Sequence, residues 1–301
     1  MSSANVEGIR AGTSTLAVTA GPSAILLVHC PDKKGLVAAI TGLVSAHSGN
    51  ILSLDQHVDS QESLFFMRLE WALEGFDMEK FQREFSALAW GMNMQWQLRY
   101  SAHKPAVAIM VSRYPHCLAD LLHRHQDGEL ACTIPFIISN HTDTQSLAAF
   151  HGIPFHHIPV TGATKAAAEE QHRKLIEDHK VDLIVLARYM QILSPAFVAR
   201  YPGRIINVHH SFLPAFTGAK PYHAAFERGV KLIGATSHYV TDALDEGPII
   251  EQSVTRISHR DQLEKLIEKG RDSERMVLSR AVKWHIEGRI LRYANRTVIF
   301  E

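Results

Sequence analysis

The sequence has few cysteines, and their arrangement limits the classes of protein to which it can belong. Only Cys30, Cys117 and Cys132 occur among its 301 residues. Their number is odd and their spacing matches neither a zinc motif nor a redox motif, so a disulfide framework is not expected. Free thiols are typical of a reducing compartment, and the sequence therefore predicts a cytoplasmic protein.

Charge of one sign is not in excess, and long hydrophobic runs are missing. Lysine plus arginine and aspartate plus glutamate each count 31, so no overall field favours nucleic acid or an anionic membrane. No stretch reaches the roughly 18 to 20 apolar residues of a transmembrane helix. The segment Met1 to Pro22 lacks the basic and apolar parts of a secretion signal, and we expect residues 1–20 to form a flexible tail. A soluble protein without nucleic-acid or membrane partners is predicted.

Three motifs of common enzyme classes are also missing. The sequence contains no His-Glu-x-x-His, no Gly-x-Ser-x-Gly and no Gly-x-Gly-x-x-Gly. Their absence argues against zinc peptidases, serine hydrolases of the nucleophile-elbow type and dinucleotide-binding enzymes. The 19 histidines are spread among predicted loops rather than set at the spacing of metal ligands. We therefore expect no metal site.

The length of the chain predicts about two domains, and the first has the pattern of a small α/β sandwich. Apolar spacing predicts strands and helices in the order βαββαβ, over Ser23–His29, Gly35–His47, Ile51–Val58, Leu64–Trp71, Asp77–Trp90 and Met94–Tyr100. This order is typical of a ferredoxin-like fold, with an antiparallel sheet and two helices on one face. We assign it to residues 21–101 and expect a linker over Ser101–Pro105.

From residue 105 to residue 301, aliphatic runs alternate with helical patterns. Strands are predicted over Ala106–Val111, Ile134–Ser139, Phe155–Ile158, Leu183–Leu186, Ile205–Val208, Thr236–Val240 and Ile249–Val254. Helices are predicted over Cys117–Arg124, Thr144–His151, Lys165–His179, Pro195–Tyr201 and Arg271–Ile286, with a short β tail over Arg289–Ile299. The alternation predicts a doubly wound, mostly parallel sheet, in which ligands bind beyond the carboxyl ends of the strands.

Polar residues of three chemical types follow the predicted strands of this second domain. Asn207 and His209 are two residues apart at the end of a strand, so their side chains leave on the same face. Asp245 lies in an acidic loop after the strand that contains His238. An amide can hold a developing oxyanion, an imidazole can move protons, and a carboxylate can orient the imidazole. Polar residues also end strands for capping and turn reasons, and the spacing alone leaves both interpretations open.

A family resemblance favours the catalytic interpretation. The run Asn207-Val208-His209-His210-Ser211-Phe212-Leu213-Pro214, with Leu244-Asp245-Glu246-Gly247-Pro248, resembles the formyltransferase-fold family that uses 10-formyltetrahydrofolate. The resemblance implies that Asn207 polarises the formyl carbonyl, that His209 transfers protons, and that Asp245 positions His209 and a water. It also implies a pterin pocket, for which the matching residues are Met190, Gln191, Ile192, Leu193, Val240, Thr241 and Asp242. Without the resemblance, several of these would be ordinary core residues at a strand-to-helix junction.

The loop after the first strand of this domain departs from the transferases of that family. Transferases that act on glycinamide ribonucleotide hold its phosphate with a glycine-containing loop and a helix N-terminus. Here the loop reads Ser112-Arg113-Tyr114-Pro115-His116-Cys117, without glycine and with a proline that removes one amide donor. If the formyl donor binds and the amine acceptor does not, water is the remaining nucleophile.

The first domain supports the same interpretation. Residues 23–100 resemble an ACT domain, and Pro31-Asp32-Lys33-Lys34-Gly35-Leu36-Val37 matches its first loop. An ACT domain fused to a formyltransferase-fold domain is the arrangement of the formyltetrahydrofolate deformylase family. The resemblance implies an amino-acid effector, for which Asp32, Gly49 and Asn50 are candidate contacts, although a helix cap and a loop glycine explain Asp32 and Gly49 equally well.

Two other functions stay open at this point. The chain could pass the formyl group to an amine, or it could be an amino-acid-sensing regulatory protein with a degenerate catalytic domain. The resemblance implies a folate substrate and no separate cofactor. ACT sheets often pair edge to edge between subunits, and we therefore expect a homo-oligomer.

Overall fold

A computed structural model describes residues 21–215 and 221–301, so the tail predicted over residues 1–20 lies outside the described residues. The first domain comprises β1 (Ser23–Pro31), α1 (Leu36–Ala46), β2 (Ile51–Asp59), β3 (Leu64–Ala72), α2 (Met78–Gly91) and β4 (Gln95–Tyr100). Its four strands form one antiparallel sheet in the order β2-β3-β1-β4. The ferredoxin-like order predicted from the sequence is confirmed.

Helices α1 and α2 bury one face of this sheet under a largely aromatic core. Trp71 of β3 packs against Phe81 of α2, with 5.2 Å between ring centroids, and Phe81 in turn stacks on Phe85 at 5.4 Å. Helix α2 begins after Asp77, whose carboxylate accepts a hydrogen bond from the backbone N–H of Lys80 at 3.0 Å. A cap of this kind contributes about 1 kcal/mol to helix stability.

The opposite face of the sheet contacts the end of the chain. Two short strands, β12 (Ile290–Tyr293) and β13 (Arg296–Ile299), form an antiparallel hairpin. Leu27 and Phe66 of the first domain share one apolar cluster with Leu291 and Phe300. The buried Arg68 adds a hydrogen bond from its Nε to the backbone oxygen of Gly288 at 3.1 Å. These contacts join the sheet of the first domain to the second domain.

The second domain contains a seven-stranded sheet in the order β11-β10-β9-β8-β5-β6-β7. The strands are β5 (Val107–Val111), β6 (Ile137–Ser139), β7 (Phe155–His157), β8 (Leu183–Leu186), β9 (Ile205–His209), β10 (Leu232–Tyr239) and β11 (Ile249–Arg256). The helices are α3 (His116–Gln126), α4 (Gln145–Phe150), α5 (Lys165–Asp178), α6 (Pro195–Val198), α7 (Pro221–Arg228) and α8 (Leu263–Ile286). Strands β5 to β9 are parallel to one another, and β10 pairs antiparallel with both of its neighbours, β9 and β11. The predicted mostly parallel sheet is confirmed.

Both faces of this sheet are buried, as an α/β sandwich requires. In β5, Val107, Ile109 and Val111 point into one core, and Ala108 and Met110 point into the other. All five residues are buried because helices cover the sheet on each side. This explains why the strands appear in the sequence as continuous apolar runs rather than alternating ones.

Two elements begin well before their predicted start. Helix α8 begins at Leu263 rather than near Arg271, because its first turns are rich in charged residues that obscure the apolar period. Strand β10 begins at Leu232 rather than Thr236, and Gly234 within it is required because a Cβ there would lie 2.4 Å from the backbone oxygen of Ser253. The proposed domain limits, 21–101 and 105–301, stay predictions.

Across residues 21–215 and 221–301, none of the helices combines the length and the apolar character that crossing a membrane requires.

Candidate active site

An imidazole and a carboxylate from separate elements meet beyond strand β9. His209 is the last residue of β9, and Asp245 lies in the loop between β10 and β11. Their Nδ1 and Oδ2 atoms are 3.2 Å apart, and both side chains are largely buried. A carboxylate only accepts hydrogen bonds, so Nδ1 of His209 carries a proton. In the neutral ring the other nitrogen, Nε2, then has a lone pair available.

The Nε2 atom of His209 is buried and has no hydrogen-bond partner among the described residues. A buried polar atom without a partner costs free energy, on the order of 1 to 3 kcal/mol. Such atoms are rare in folded proteins and often belong to sites that bind or transform a ligand. Nε2 of His209 is therefore a candidate for proton exchange with a bound molecule.

The carboxyl group of Asp245 is held in its charged form. Burial alone would raise its pKa, but the hydrogen bond from Nδ1 of His209 holds the pKa of Asp245 well below its ordinary value. Its backbone has a φ of 58°, a left-handed conformation that is uncommon for residues other than glycine. The loop thus places a stable negative charge beside His209.

A second histidine, His238, belongs to the same cluster and was not identified from the sequence. Its Nε2 lies 3.2 Å from Nδ2 of Asn207 and 3.7 Å from Oδ1 of Asp245. Its Nδ1 donates to the backbone oxygen of Tyr239 at 2.9 Å, so in the neutral ring Nε2 accepts from the Asn207 amide. The antiparallel register pairs His238 with Asn207, and this pairing between strands has no local signal in the sequence.

The cluster opens into a cavity of about 340 Å³. All ten residues that the sequence predicted for catalysis and substrate binding line it: Asn207, His209, Asp245, Met190, Gln191, Ile192, Leu193, Val240, Thr241 and Asp242. Met190 and Ile192 are large apolar side chains with 47% and 62% of their surface exposed, so they offer contact area to a flat ring. The structure thus brings these residues together, while their individual roles stay predictions.

The chain enters this cavity from β8 through a strained segment. Arg188 and Met190 have φ values of 64° and 53°. A left-handed conformation costs about 1 kcal/mol or more for such residues, and it persists where the surrounding contacts determine it. Here the contacts include the buried hydroxyl of Ser112, which donates to Oδ1 of Asn140 at 2.6 Å and also contacts the backbone oxygen of Tyr189.

Known proteins share the domain order of this chain. The model of the formyl transferase family matches residues 106–282, and the model of the ACT domain matches residues 24–70. A formyltetrahydrofolate deformylase of Synechocystis is 51% identical over 280 residues, which cover 92% of this chain and 98% of that protein. One of Bacillus subtilis is 48% identical, and the match covers 91% of this chain and 93% of that protein. This chain belongs to the formyltetrahydrofolate deformylase family.

Solved structures support the same family assignment. The crystal structure of a formyltetrahydrofolate deformylase from Pseudomonas syringae matches with a TM-score of 0.91 at 46% identity, over 95% of this chain and 97% of that one. Glycinamide ribonucleotide transformylase 1 from Symbiobacterium toebii matches with a TM-score of 0.63 at 28% identity, over 68% of this chain and 98% of that one. The match to the deformylase includes both domains. The transformylase chain is shorter and corresponds in length to the second domain of this chain.

In this member of the deformylase family, side chains of the loop after β5 contact other residues of the same chain. The Tyr114 ring lies between the guanidinium groups of Arg188 and Arg271, which are 5.5 and 5.8 Å from its centroid. His116 Nε2 lies 2.8 Å from a carboxylate oxygen of Glu274. Pro115 precedes helix α3 and supplies no amide donor. Side chains of this loop thus turn toward protein partners.

His116, Cys117 and Glu274 place three potential metal-binding atoms within 4.8 Å of one another. The carboxylate of Glu274 already accepts from Tyr222 at 2.6 Å and contacts Arg188 Nε at 3.4 Å. Burial raises the pKa of the Cys117 thiol well above its ordinary value, which disfavours the thiolate that a metal requires. The group is better described as an ion and hydrogen-bond network, and the expected lack of a metal site stays a prediction.

The candidate effector residues do not lie together within one chain. Asp32 follows the end of β1, where Pro31 pairs with Leu64. Asn50 precedes β2 at the other end of the sheet, where its backbone oxygen accepts from the N–H of Ala72. A nine-residue strand separates the two ends by about 26 Å at roughly 3.3 Å per residue. These residues therefore do not form one pocket within one subunit, and their role as effector contacts stays a prediction.

The alternative explanations offered for two of these residues also need correction. Helix α1 is preceded by Gly35, with a φ of 91° and no side-chain cap, so Asp32 is not the helix cap. Gly49 is required by packing rather than by a left-handed turn, because a Cβ there would lie 2.5 Å from Val44 and 2.8 Å from Phe76. Asp32 donates its backbone N–H to the backbone oxygen of Ser63.

Proposed function

We propose that this chain hydrolyses 10-formyltetrahydrofolate to formate and tetrahydrofolate, and that Asn207, His209 and Asp245 carry out the reaction. The observation on which the proposal rests is the contact between His209 Nδ1 and Asp245 Oδ2, which leaves Nε2 of His209 without a partner among the described residues, on a side chain that lines the cavity together with Asn207. Close relatives named formyltetrahydrofolate deformylase, matched over nearly their whole length, support the substrate and the reaction.

His209 serves as the proton-transfer group. Its Nε2 accepts a proton from water as the water oxygen attacks the formyl carbon. The resulting imidazolium is stabilised by the negative charge of Asp245, whose low pKa keeps the carboxylate ionised. The same proton then passes to the N10 nitrogen of the folate as the carbon–nitrogen bond breaks. Formate and tetrahydrofolate are the products, and His209 returns to its neutral form.

Asn207 stabilises the charge that develops on the formyl oxygen. Its Nδ2 carries two hydrogens, and one of them is directed at Nε2 of His238, 3.2 Å away. The second hydrogen is available to the oxyanion of the tetrahedral intermediate. His238 therefore positions the amide, and its own orientation is determined by the bond from Nδ1 to the Tyr239 backbone oxygen. This division of roles needs no group beyond the protein and its substrate.

The pterin ring of the substrate occupies the apolar part of the cavity. Met190, Ile192 and Leu193 supply flat apolar contacts on one side. Gln191 and the segment Val240, Thr241 and Asp242 supply polar and backbone groups at its edge. A few polar groups in a mostly apolar pocket determine orientation, while the apolar area contributes most of the affinity. We expect the folate to act as the substrate, with no separate cofactor.

Water is the acceptor because the loop that binds a nucleotide phosphate in transferases has side chains that contact other protein groups in this chain. The hydroxyl of Ser112, the ring of Tyr114 and the imidazole of His116 all have protein partners. A cytoplasmic location, a homo-oligomer and an amino-acid effector at the ACT domain remain predictions from the sequence.

The test is formate release from 10-formyltetrahydrofolate by the purified protein, with and without glycinamide ribonucleotide. Formate produced without an acceptor is the expected result. Turnover only in the presence of the nucleotide would identify a transferase and contradict the proposal. A protein that is stabilised by amino acids but releases no formate under either condition would be the regulatory alternative.

A further inference from the structure

A cleft of about 770 Å³ lies between the two domains, away from the catalytic cavity. Strand β4 of the first domain contributes Arg99, and the second domain contributes Arg204 and Arg292. Lys180 and His103 also line this cleft. Five basic side chains from both domains therefore surround one opening whose volume suits a small metabolite.

The three arginines are held in place by groups that do not neutralise them. Nη1 of Arg99 donates to the backbone oxygen of His285 at 2.9 Å, and Nε of Arg204 donates to the backbone oxygen of Asp182 at 3.0 Å. The guanidinium of Arg292 lies over the Tyr239 ring, 5.1 Å from its centroid. Within residues 21–215 and 221–301, no ion pair with a carboxylate includes Arg99, Arg204 or Arg292.

The carboxylates that line the same cleft already have partners. Asp182 accepts from the backbone N–H of Ala106 at 2.8 Å and lies 3.3 Å from Nε2 of His103. Glu177 is paired with Arg173, which lies outside the cleft. Arg99, Arg204, Arg292 and Lys180 give the cleft four positive charges, and Asp182 and Glu177 give it two negative charges, so a net positive charge remains.

Two further observations show that this positive charge is built into the fold. A Cβ on Gly203 would lie 1.9 Å from Cζ of Arg292, so the guanidinium packs directly on the glycine backbone. Burial, and then the charges of Arg99, Arg292 and Arg204, lower the pKa of the buried His285 to about 3. Like charges held close together in a partly buried cleft repel one another, and an anion would relieve that repulsion.

We propose that this cleft between the domains binds a small anion through its carboxylate or phosphate oxygens, with Arg99 on one side and Arg204 and Arg292 on the other. A guanidinium matches both kinds of oxyanion because its N–H groups can pair with two oxygens at once. An anion bound here contacts both domains and restrains their relative position. Arg99 contacts the backbone of His285, whose Nδ1 lies 2.7 Å from the hydroxyl of Tyr239, next to His238.

The test measures binding to the full-length protein by isothermal titration calorimetry, at constant ionic strength, with inorganic phosphate and separately with succinate. Saturable binding of at least one anion is expected. Arg292→Gln and Arg99→Gln should each weaken it about tenfold or more, because each removes one charged donor. Arg260→Gln is the matched control, since Arg260 is exposed and lies outside the cleft, and it should bind as the wild type does.

Binding of phosphate alone assigns the site to a phosphorylated ligand, and binding of succinate alone assigns it to a carboxylate. Arg292→Lys keeps the charge and should retain part of the affinity. It replaces Arg292→Gln in the test if the glutamine variant does not fold. Absence of saturable binding for both anions, or equal affinity in wild type and in the folded Arg99 and Arg292 variants, would overturn the proposal. Because binding is measured directly, the result does not depend on the hydrolase activity proposed above.

Discussion

The Nδ1 atom of His209 lies 3.2 Å from Oδ2 of Asp245, although the two residues come from different elements of the second domain. This contact determines which nitrogen of His209 carries the proton, and it leaves the other nitrogen, Nε2, available as an acceptor.

Replacing the imidazole should abolish most of the activity. His209→Ala removes the group that takes a proton from water and returns it to the leaving nitrogen, so we expect kcat to fall about 10²- to 10⁴-fold. His259→Ala is the matched control, because His259 is exposed and outside the cavity. Formate release measures both variants. Turnover at the wild-type rate in a folded His209→Ala protein would remove His209 from the mechanism.

Replacing the carboxylate by an amide should disable His209 without removing it. In Asp245→Asn the negative charge is lost and the amide can donate to Nδ1, which favours the wrong ring tautomer. We expect kcat to fall about 10³-fold or more, with a smaller change in KM. Steady-state kinetics separates the two parameters, and a thermal unfolding midpoint near the wild-type value confirms that the variant is folded. A change confined to KM would argue against an orienting role.

Gly247 allows the acidic loop to reach His209. A Cβ at this position would lie 1.8 Å from the backbone oxygen of Tyr239, so Gly247→Ala must displace the loop that carries Asp245. We expect a fall in kcat of about 10²-fold, since misplacement by 1 Å has effects of this size. Gly162→Ala is the control, because nothing lies within 4 Å of its added Cβ. Equal kcat in the two variants would contradict this role of the loop.

The stability of the protein should decline in mild acid because of a buried histidine. Burial lowers the pKa of His172 to about 4, and neither ring nitrogen has a partner among the described residues. The folded pKa lies below the unfolded value of about 6.5, so the unfolded state binds more protons between these values. The titration of His172 therefore leaves the free energy of unfolding unchanged well above pH 6.5 and lowers it by about 2 kcal/mol between pH 7.5 and pH 5.

Urea unfolding at pH 7.5 and at pH 5 measures this effect. His172→Leu keeps a side chain of similar size in the apolar core and has no titrating group, so its free energy of unfolding should decrease less between the two pH values. Other buried groups, including His285, titrate in both proteins and cancel in the comparison. The same decrease in wild type and variant would show that His172 does not contribute.

Much of the cavity lining could be predicted because contiguous motifs carry the family resemblance, and short-range rules then bring the matched residues together. Asn207 and His209 share a side of β9 because strand side chains alternate, and the apolar segment after β8 is contiguous in sequence. His238 could not be found in this way, because its position opposite Asn207 depends on the antiparallel pairing of β9 with β10. Helix α8 was predicted too short because charged residues on its exposed face interrupt the apolar pattern.

The sequence by itself determined the order of the elements, the two-domain arrangement and the family, since each depends on apolar period, turn residues or contiguous motifs. The tertiary structure decided which distant residues meet. It separated Asp32 from Asn50 by the length of a strand, joined Asp245 to His209, and set Arg99 of one domain opposite Arg204 and Arg292 of the other. Such contacts depend on strand register and domain packing, which arise from many weak interactions over the whole chain and leave no local pattern.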